Sequence, residues 1–150
     1  MKQVTFKPFE AIDADVVVPL MQDFYAIDNY PIDAAVSKNL FSEFILNEQL
    51  GRGWVLLLDG QVAGYFILTF VFSFEYKGRI AFLDELYIVP EARGKGLAKR
   101  AIDFIHEQAK VLNIKIIYLE VEGHNAAARS LYLSKNFTLH NRGLMKLVVE

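Results

Sequence analysis

Two glycines and four cations gather where the sequence changes from a strand pattern to a helix pattern. The stretch Arg93-Gly94-Lys95-Gly96-Leu97-Ala98 follows an apolar run that ends at Pro90, and Lys99 and Arg100 come directly after it. Small residues at 94, 96 and 98 allow backbone N–H groups to approach an anion closely. The start of a helix adds about half a positive charge. The stretch predicts a phosphate site, although a glycine turn with solvated cations explains these residues equally well.

Two common nucleotide-binding motifs do not fit this stretch. A P-loop requires its first glycine where Val89 stands, and a serine or threonine where Gly96 follows Lys95. A dinucleotide fingerprint requires its third glycine where Lys99 stands. The motifs of nucleotide hydrolases and of dehydrogenases are therefore not supported.

The composition is that of an ordinary globular protein and predicts one domain over residues 1–150. Of the 150 residues, 53% are hydrophobic and 23% are charged. The net charge of −2 argues against general binding to nucleic acid. The absence of cysteine excludes disulfides and a cysteine nucleophile, and the scattered histidines show no metal spacing, so we expect no metal. Without a signal-like or membrane-spanning segment, we expect a cytoplasmic protein with no membrane partner.

The spacing of apolar residues changes along the chain between the period of a helix and the period of a strand. This change predicts a sheet with helices packed against it. A helix capped by Asp13 or Asp15 follows an N-terminal strand, Asp59-Gly60 marks a hairpin, and the apolar run 114–121 predicts a central strand buried on both faces. The predicted order is β-α-α-β-β-β-α-β-α-β-β, with the last two strands at 137–140 and 144–149. The expected fold class is α/β (α+β in some schemes), with a mixed, mostly antiparallel sheet of six to seven strands and about four helices.

Two longer patterns flank the glycine-rich stretch. Residues 83–92 read LDELYIVPEA, and the spaced residues Leu119, Val121, Asn125, Ala128, Tyr132, Asn136 and Phe137 follow one helix later. Together they resemble the GNAT superfamily of acetyl-CoA-dependent N-acetyltransferases. Its pyrophosphate loop, Arg/Gln-x-x-Gly-x-Gly/Ala, and its Asn-x-x-Ala-x-x-x-Tyr helix are both matched. The departure is Asn136, where the family usually has glycine; asparagine tolerates the left-handed backbone that this helix end calls for.

The resemblance implies acetyl-CoA as co-substrate. Its pyrophosphate would lie on the N–H groups of residues 93–98, and its pantetheine arm would add like a strand to the fourth strand, which splays from the fifth. The cofactor-binding residues implied are Leu86, Tyr87, Ile88, Arg93, Gly94, Lys95, Gly96, Leu97, Ala98, Asn125, Ala128 and Tyr132.

Acetyl transfer to an amine needs a base, because a free alkylamine has a pKa of about 10.4. Asp84, Glu85 and Glu120 are the candidates for this role. Strict alternation puts Asp84 on the strand face of Leu86 and Ile88, with Glu85 on the other face. Polyamine acetyltransferases of the family place their base at the position of Asp84, so we favour Asp84. An acidic pair that forms surface salt bridges is the ordinary alternative.

The resemblance also implies how the reaction ends. A strand N–H near Ile88 would stabilise the oxyanion, and Tyr132 would protonate the leaving thiolate. Packing in the core is the alternative role for Tyr132. Without cysteine, the acetyl group would pass directly to the amine in a ternary complex.

The acceptor pocket of the family is walled by the region between the first two helices. Here Tyr25, Asp28 and Tyr30, with Glu120 and Glu43, would line it, and their acids suit a cation, although ordinary core aromatics would give the same composition. The predicted function is acetylation of a primary amine on a small molecule such as a polyamine, an amino acid or an aminoglycoside. The alternatives are a protein N-acetyltransferase and a non-catalytic acetyl-CoA sensor. A homodimer is left open.

Overall fold

The computed structural model describes residues 2–149. The chain divides into two compact units, Met1–Glu120 and Val121–Glu150. The first unit holds a five-stranded sheet and three α-helices, and the second holds one further α-helix.

The sheet is mixed and follows chain order. The antiparallel part joins the first four strands, and the last pairing is parallel. Asp59 and Gly60 connect the second and third strands with φ values of 51° and 80°, as predicted for an Asp-Gly hairpin. The strands are β1 (Val4–Pro8), β2 (Gly51–Leu58), β3 (Gln61–Ser73), β4 (Gly78–Ile88) and β5 (Ile117–Tyr118).

The described residues form four α-helices, as expected: α1 (Ala14–Ala26), α2 (Ala34–Ile45), α3 (Leu97–Val111) and α4 (Ala126–Ser134). Asp33 caps α2, because its Oδ1 accepts a hydrogen bond from the Val36 amide at 3.1 Å. Asp13 precedes α1 without capping it, since its carboxylate binds Lys7 Nζ at 2.6 Å and the Glu10 amide at 2.8 Å. In residues 2–149 no helix is both long and apolar enough to span a membrane.

Helices pack on both faces of the sheet within the first unit. Tyr65 and Phe66 are neighbours on β3 and therefore point to opposite faces, and both are 0% exposed. On one face, Phe104 of α3 contacts Phe66, with ring centroids 6.1 Å apart. On the other face, Phe24 of α1 contacts Tyr65, with centroids 6.5 Å apart. The sheet is thus the central layer, and β3 lies at its centre.

The predicted number of strands is wrong, because the described residues form five rather than six or seven. Residues 137–149 contain no strand, and their apolar side chains from Leu139 onward are exposed, with Met145 95% and Leu147 87% exposed. The run 114–121 forms only the two-residue β5, half-buried at the edge of the sheet. Apolar alternation reports which side chains a strand would bury, but a strand also needs a neighbour for its backbone groups.

The pairing between β4 and β5 is short. Among residues 2–149 it joins Ala81 to Ile117 and Phe82 to Tyr118, whereas β4 continues to Ile88. The second half of β4 therefore extends beyond this parallel pairing.

Candidate active site

The glycine-rich stretch is a loop that leads into α3. Gly94 and Gly96 have φ values of 76° and 75°, in the left-handed region, and Gly96 is the N-cap of α3. A Cβ at either glycine would meet no atom within 4 Å, so the backbone conformation accounts for both residues. Within the described chain, the N–H groups from Gly94 to Lys99 have no hydrogen-bond acceptor. The loop therefore offers a row of free amide donors at the positive end of a helix.

The charged side chains of this loop point to water. Arg93, Lys95, Lys99 and Arg100 are all exposed. Arg93 folds back onto the end of β4, where its Nε donates to the Ile88 carbonyl at 2.9 Å and its guanidinium lies 5.6 Å from the Tyr87 ring centroid. The loop is thereby tied to the strand that precedes it.

Near this loop, the backbone of β4 has one side that pairs with no strand of the described residues. The Val89 amide donates to the Ala63 carbonyl at 2.9 Å, so Val89 and Tyr87 direct their polar backbone groups toward β3. Leu86 and Ile88 direct theirs the opposite way, because alternate residues of an antiparallel strand bond to opposite sides. That side lies beyond the pairing with β5. An extended chain of amides could bind along it.

A β-bulge lies at the acidic pair. Ile67 pairs with Glu85 and Leu68 pairs with Leu83, so Asp84 is the extra residue of the bulge. The bulge interrupts the strict alternation on which the predicted placement of the two acids on opposite faces rests. The charge of Asp84 acts on Glu85 and on Tyr25 alike and raises the pKa of both.

Glu85 is held by two tyrosines. Tyr65 Oη donates to its Oε1 at 2.6 Å, and Tyr25 Oη donates to its Oε2 at 2.7 Å. Burial raises the pKa of Glu85 and outweighs both hydrogen bonds, which lower it, and Asp84 raises it further. The pKa values of both tyrosines are also raised, first by burial and then by Glu85. Sequence reasoning missed Tyr65, since nothing in a strand pattern shows that a buried tyrosine points at an acid.

Asp84 differs from its neighbour. The residue is exposed, and within residues 2–149 its carboxylate has no hydrogen-bond or ion-pair partner. Removal of part of its hydration raises its pKa. It is therefore a free carboxylate with an elevated pKa on the strand that carries the open backbone side.

The other predicted acceptor residues follow two different elements of the first unit. Asp28 and Tyr30 follow α1, where Tyr30 is 56% exposed and its amide donates to the Tyr25 carbonyl at 2.9 Å. Glu120 is exposed and follows β5. Tyr25, another predicted acceptor residue, donates its hydrogen bond to Glu85 at the bulge.

The second unit contains the Asn-x-x-Ala-x-x-x-Tyr pattern on α4. Asn125 caps this helix, because its Oδ1 accepts from the Ala128 amide at 3.0 Å. Tyr132 is half-buried, its ring contacts Phe137 with centroids 5.6 Å apart, and burial raises its pKa. Asn136 has a φ of 71°, the left-handed conformation expected at this helix end. The spacing of Asn125 and Ala128 is thus explained by capping.

No metal centre is found in the described part of the chain. Residues 2–149 contain no group of three or more histidine, aspartate or glutamate side chains that could hold a metal ion. The site consists of backbone amides, carboxylates and tyrosines.

Comparison with known proteins connects these features. The profile of the acetyltransferase (GNAT) family matches residues 18–137. The uncharacterized N-acetyltransferase YhfO of Bacillus subtilis (strain 168) is 36% identical over 74 residues, which cover 49% of this chain and 50% of YhfO. The match therefore spans half the length of that relative.

Two solved structures share the fold. A possible acetyltransferase from Clostridium difficile 630 superposes with a TM-score of 0.88 at 19% identity, covering 98% of each chain. A predicted acetyltransferase from Clostridium acetobutylicum, crystallised with acetyl-CoA, superposes with a TM-score of 0.79 at 19% identity, covering 97% of this chain and 96% of its own. Their likeness at 19% identity shows the fold, and the family match covers most of the sequence. The chain belongs to the GNAT acetyltransferase family.

Proposed function

We propose that the protein acetylates the primary amine of a small molecule by direct transfer from acetyl-CoA in a ternary complex. The observation that carries this proposal is the pair of unlike carboxylates at the β4 bulge, next to the free backbone side of that strand. Asp84 is exposed and Glu85 is held by two phenols. Within residues 2–149 neither acid forms an ion pair with a cation, which suits an amine acceptor.

The coenzyme would bind along the end of β4 and the loop that follows. The free amides from Gly94 to Lys99 would hold the pyrophosphate, with the cations of the loop around it. The Leu86 backbone and the Ile88 amide would hold the pantetheine arm, since the Ile88 carbonyl already accepts a hydrogen bond from Arg93. Backbone donors of this kind need no particular side chain, which agrees with the apolar sequence of β4.

Asp84 would act as the base. Its carboxylate is free to accept a proton, and its raised pKa brings it closer to the working pH than an ordinary aspartate. Removal of one proton from the bound ammonium gives the neutral amine that attacks the thioester carbonyl. A strand N–H near Ile88 that the pantetheine arm leaves free would stabilise the oxyanion that forms.

Tyr132 would complete the reaction as the acid. With its pKa raised by burial, the phenol is protonated at neutral pH. It would give this proton to the leaving thiolate, and the second proton that the attacking nitrogen loses as the amide forms would restore the phenol. The family pattern on α4 supports this role, and Asn125 contributes by starting the helix that carries Tyr132.

The test is the release of free coenzyme A thiol from acetyl-CoA in the presence of separate panels of acceptors. One panel contains small primary amines, a second contains peptides with free N-termini and lysines, and a third sample contains no acceptor. We expect saturable thiol release with small amines at millimolar concentration or below. Release with peptides alone would favour a protein acetyltransferase. Coenzyme binding without release from any amine would favour a sensor and contradict the proposal.

A further inference from the structure

Three elements of the first unit converge on the carboxylate of Glu85. Tyr25 comes from α1, Tyr65 from β3 and Glu85 from β4, and each carboxylate oxygen accepts one phenol hydroxyl, at 2.7 and 2.6 Å. Tyr65 is 0% exposed and its ring is fixed against Phe24 and Tyr87, so its hydroxyl cannot swing away easily. The carboxylate is thus fixed in both position and orientation.

This carboxylate has no positive partner of its own. Among residues 2–149, no lysine, arginine or histidine forms an ion pair with Glu85, although the residue is largely withdrawn from water. A buried charge without a counter-charge is costly, and the phenols compensate only part of that cost. An external cation next to Glu85 would compensate the rest.

Glu85 is poorly suited to serve as the proton acceptor itself. Burial raises the pKa of Glu85 and is the largest influence on it. Protonation would, however, weaken two hydrogen bonds to the anion, and a cation beside the carboxylate would offset the effect of burial. Asp84, its neighbour in the bulge, has no such bonds to lose. The two acids therefore differ in what they can do: Asp84 can exchange a proton, and Glu85 can hold a fixed negative charge.

We infer that Tyr25 and Tyr65 position Glu85 as a fixed anionic anchor, and that the enzyme prefers an acceptor with an ammonium group in addition to the amine it acetylates. The inference rests on the proposed function, because it names the acceptor class for that same site. Glu85 is then a specificity-determining residue. Tyr25 and Tyr65 are positioning residues that act through it.

The experiment compares 1,4-diaminobutane with 1-aminobutane, which lacks the second ammonium group. For each enzyme variant, the ratio of kcat/KM for the diamine to kcat/KM for the monoamine is measured by thiol release. We expect a ratio of roughly 10 to 100 in the wild type, the range for a hydrogen bond to a charged group. Glu85→Gln should bring the ratio close to one. Tyr65→Phe and Tyr25→Phe should each lower it about threefold to tenfold.

Matched controls separate positioning from a general loss of structure. Tyr76→Phe removes a hydroxyl that accepts a hydrogen bond from Tyr118 at 2.9 Å, and Glu107→Gln changes an exposed acid on α3. Both should keep the wild-type ratio. Thermal melting identifies variants that fail to fold. If a tyrosine variant fails to fold, the comparison uses Glu85→Gln and the wild type, each with bound coenzyme A. Calorimetry then measures the affinity of both proteins for 1,4-diaminobutane.

The pH dependence of the ratio gives a readout that a purely structural role would not change. The titratable groups that act on Glu85 are Asp84, Tyr25 and Tyr65. Tyr87, whose raised pKa reflects burial first and then Asp23, also acts on Tyr65. Hydrogen bonds to the carboxylate lower its pKa, so their removal raises it. The diamine preference requires ionised Glu85 and is lost as the pH falls through the pKa of this residue. In Tyr65→Phe, where that pKa is higher, the preference should therefore be lost at a higher pH than in the wild type. Proton transfer to Asp84 is common to both acceptors and cancels in the ratio. The charge of Asp84, which also raises the pKa of Glu85, is present in both enzymes and does not change the direction of this comparison.

Several outcomes would overturn the inference and leave the proposed function standing. These are a wild-type ratio near one, a ratio that Glu85→Gln does not change, and an equal effect of Tyr76→Phe and Tyr65→Phe. Any of these would reduce the cluster to a link between α1 and the sheet. The absence of thiol release with every amine would contradict the proposed function itself, and this inference with it.

Discussion

Gly96 combines a left-handed backbone with free amides on both sides of it. A glutamate at this position would bring both bulk and negative charge to the place where the pyrophosphate is proposed to bind. We expect Gly96→Glu to weaken coenzyme A binding by at least about 100-fold, as measured by calorimetry. Gly96→Ala is the matched control, because it carries the backbone strain without the charge, and it should retain most of the affinity. Unchanged affinity in Gly96→Glu would contradict the assignment of the loop.

Tyr132 is the residue for which catalysis and packing give different expectations. Tyr132→Phe keeps the ring that contacts Phe137 and removes the proposed acid. We expect kcat to fall by about 10² or more, the usual loss for a general acid, with coenzyme affinity near the wild-type value. Steady-state kinetics and calorimetry provide the two numbers. A variant that works at full rate would show that Tyr132 serves only in packing.

The raised pKa of Asp84 determines the direction of the pH dependence. A base must be ionised, so activity falls as the pH drops through its pKa, and for Asp84 this fall lies above the ordinary aspartate value of about 3.9. Asp84→Asn should lower kcat/KM by roughly 10² to 10⁴ and abolish this acidic limb. Asp15→Asn, which removes an exposed acid paired with Lys38 at 3.3 Å, should leave the profile as it is. If the fall in activity at acidic pH persists in Asp84→Asn, it reflects the titration of another group.

Sequence reasoning identifies some residues of the site and misses others for a physical reason. Gly96 and Asn136 are predictable because a left-handed backbone favours particular residue types. Asn125 is predictable because a helix N-cap needs a side-chain acceptor. The bulge at Asp84 and the bond from Tyr65 to Glu85 depend on the register between β3 and β4, which no local pattern encodes.

At the scale of elements, Phe104 is the contact between α3 and the sheet. Its ring lies 4.4 Å from that of Phe6 and 5.4 Å from that of Trp54, by centroid distance. Phe104→Ala should lower the free energy of unfolding by about 3 kcal/mol, the lower end for a buried phenylalanine, since this residue is partly exposed. Val111→Ala on the same helix, where the side chain is 77% exposed, should change it by less than about 0.5 kcal/mol.

Trp54 gives the measurement for this prediction. It is the only tryptophan of the chain and is 4% exposed, so its fluorescence reports the exposure of this core during urea unfolding. Equal midpoints for Phe104→Ala and Val111→Ala would show that the aromatic cluster does not contribute to stability as argued.

The elements themselves were predictable to different degrees. The helices α1 to α4 and the hairpin at Asp59-Gly60 follow from period, caps and turn residues. The length of β5 and the absence of strands in residues 137–149 do not, because apolar alternation carries no information about which backbone is available to pair. Local preferences thus predict an element well where its hydrogen bonds are internal, as in a helix, and less well where they require a distant partner.

At the scale of the whole molecule, the distribution of charge matters more than its sum. The chain has a net charge of −2, yet four cations, Arg93, Lys95, Lys99 and Arg100, surround the loop before α3, and all are exposed. A local positive region on a slightly acidic protein would attract an anionic coenzyme and would leave long nucleic acids without a continuous basic surface. Because these side chains lie in water, salt screens them effectively.

We therefore expect coenzyme A binding to weaken with salt. Between 50 and 500 mM NaCl the Debye length falls from about 14 Å to about 4 Å, and Kd should rise roughly threefold to tenfold. Pantetheine, which lacks the phosphates, is the matched control and should bind with an affinity that salt leaves almost unchanged, since its contacts would be backbone hydrogen bonds along β4. Calorimetric titrations of both compounds at several salt concentrations give the two slopes. Equal slopes for the two compounds would show that the cations around the loop do not attract the phosphates, and the electrostatic part of the loop assignment would then fail.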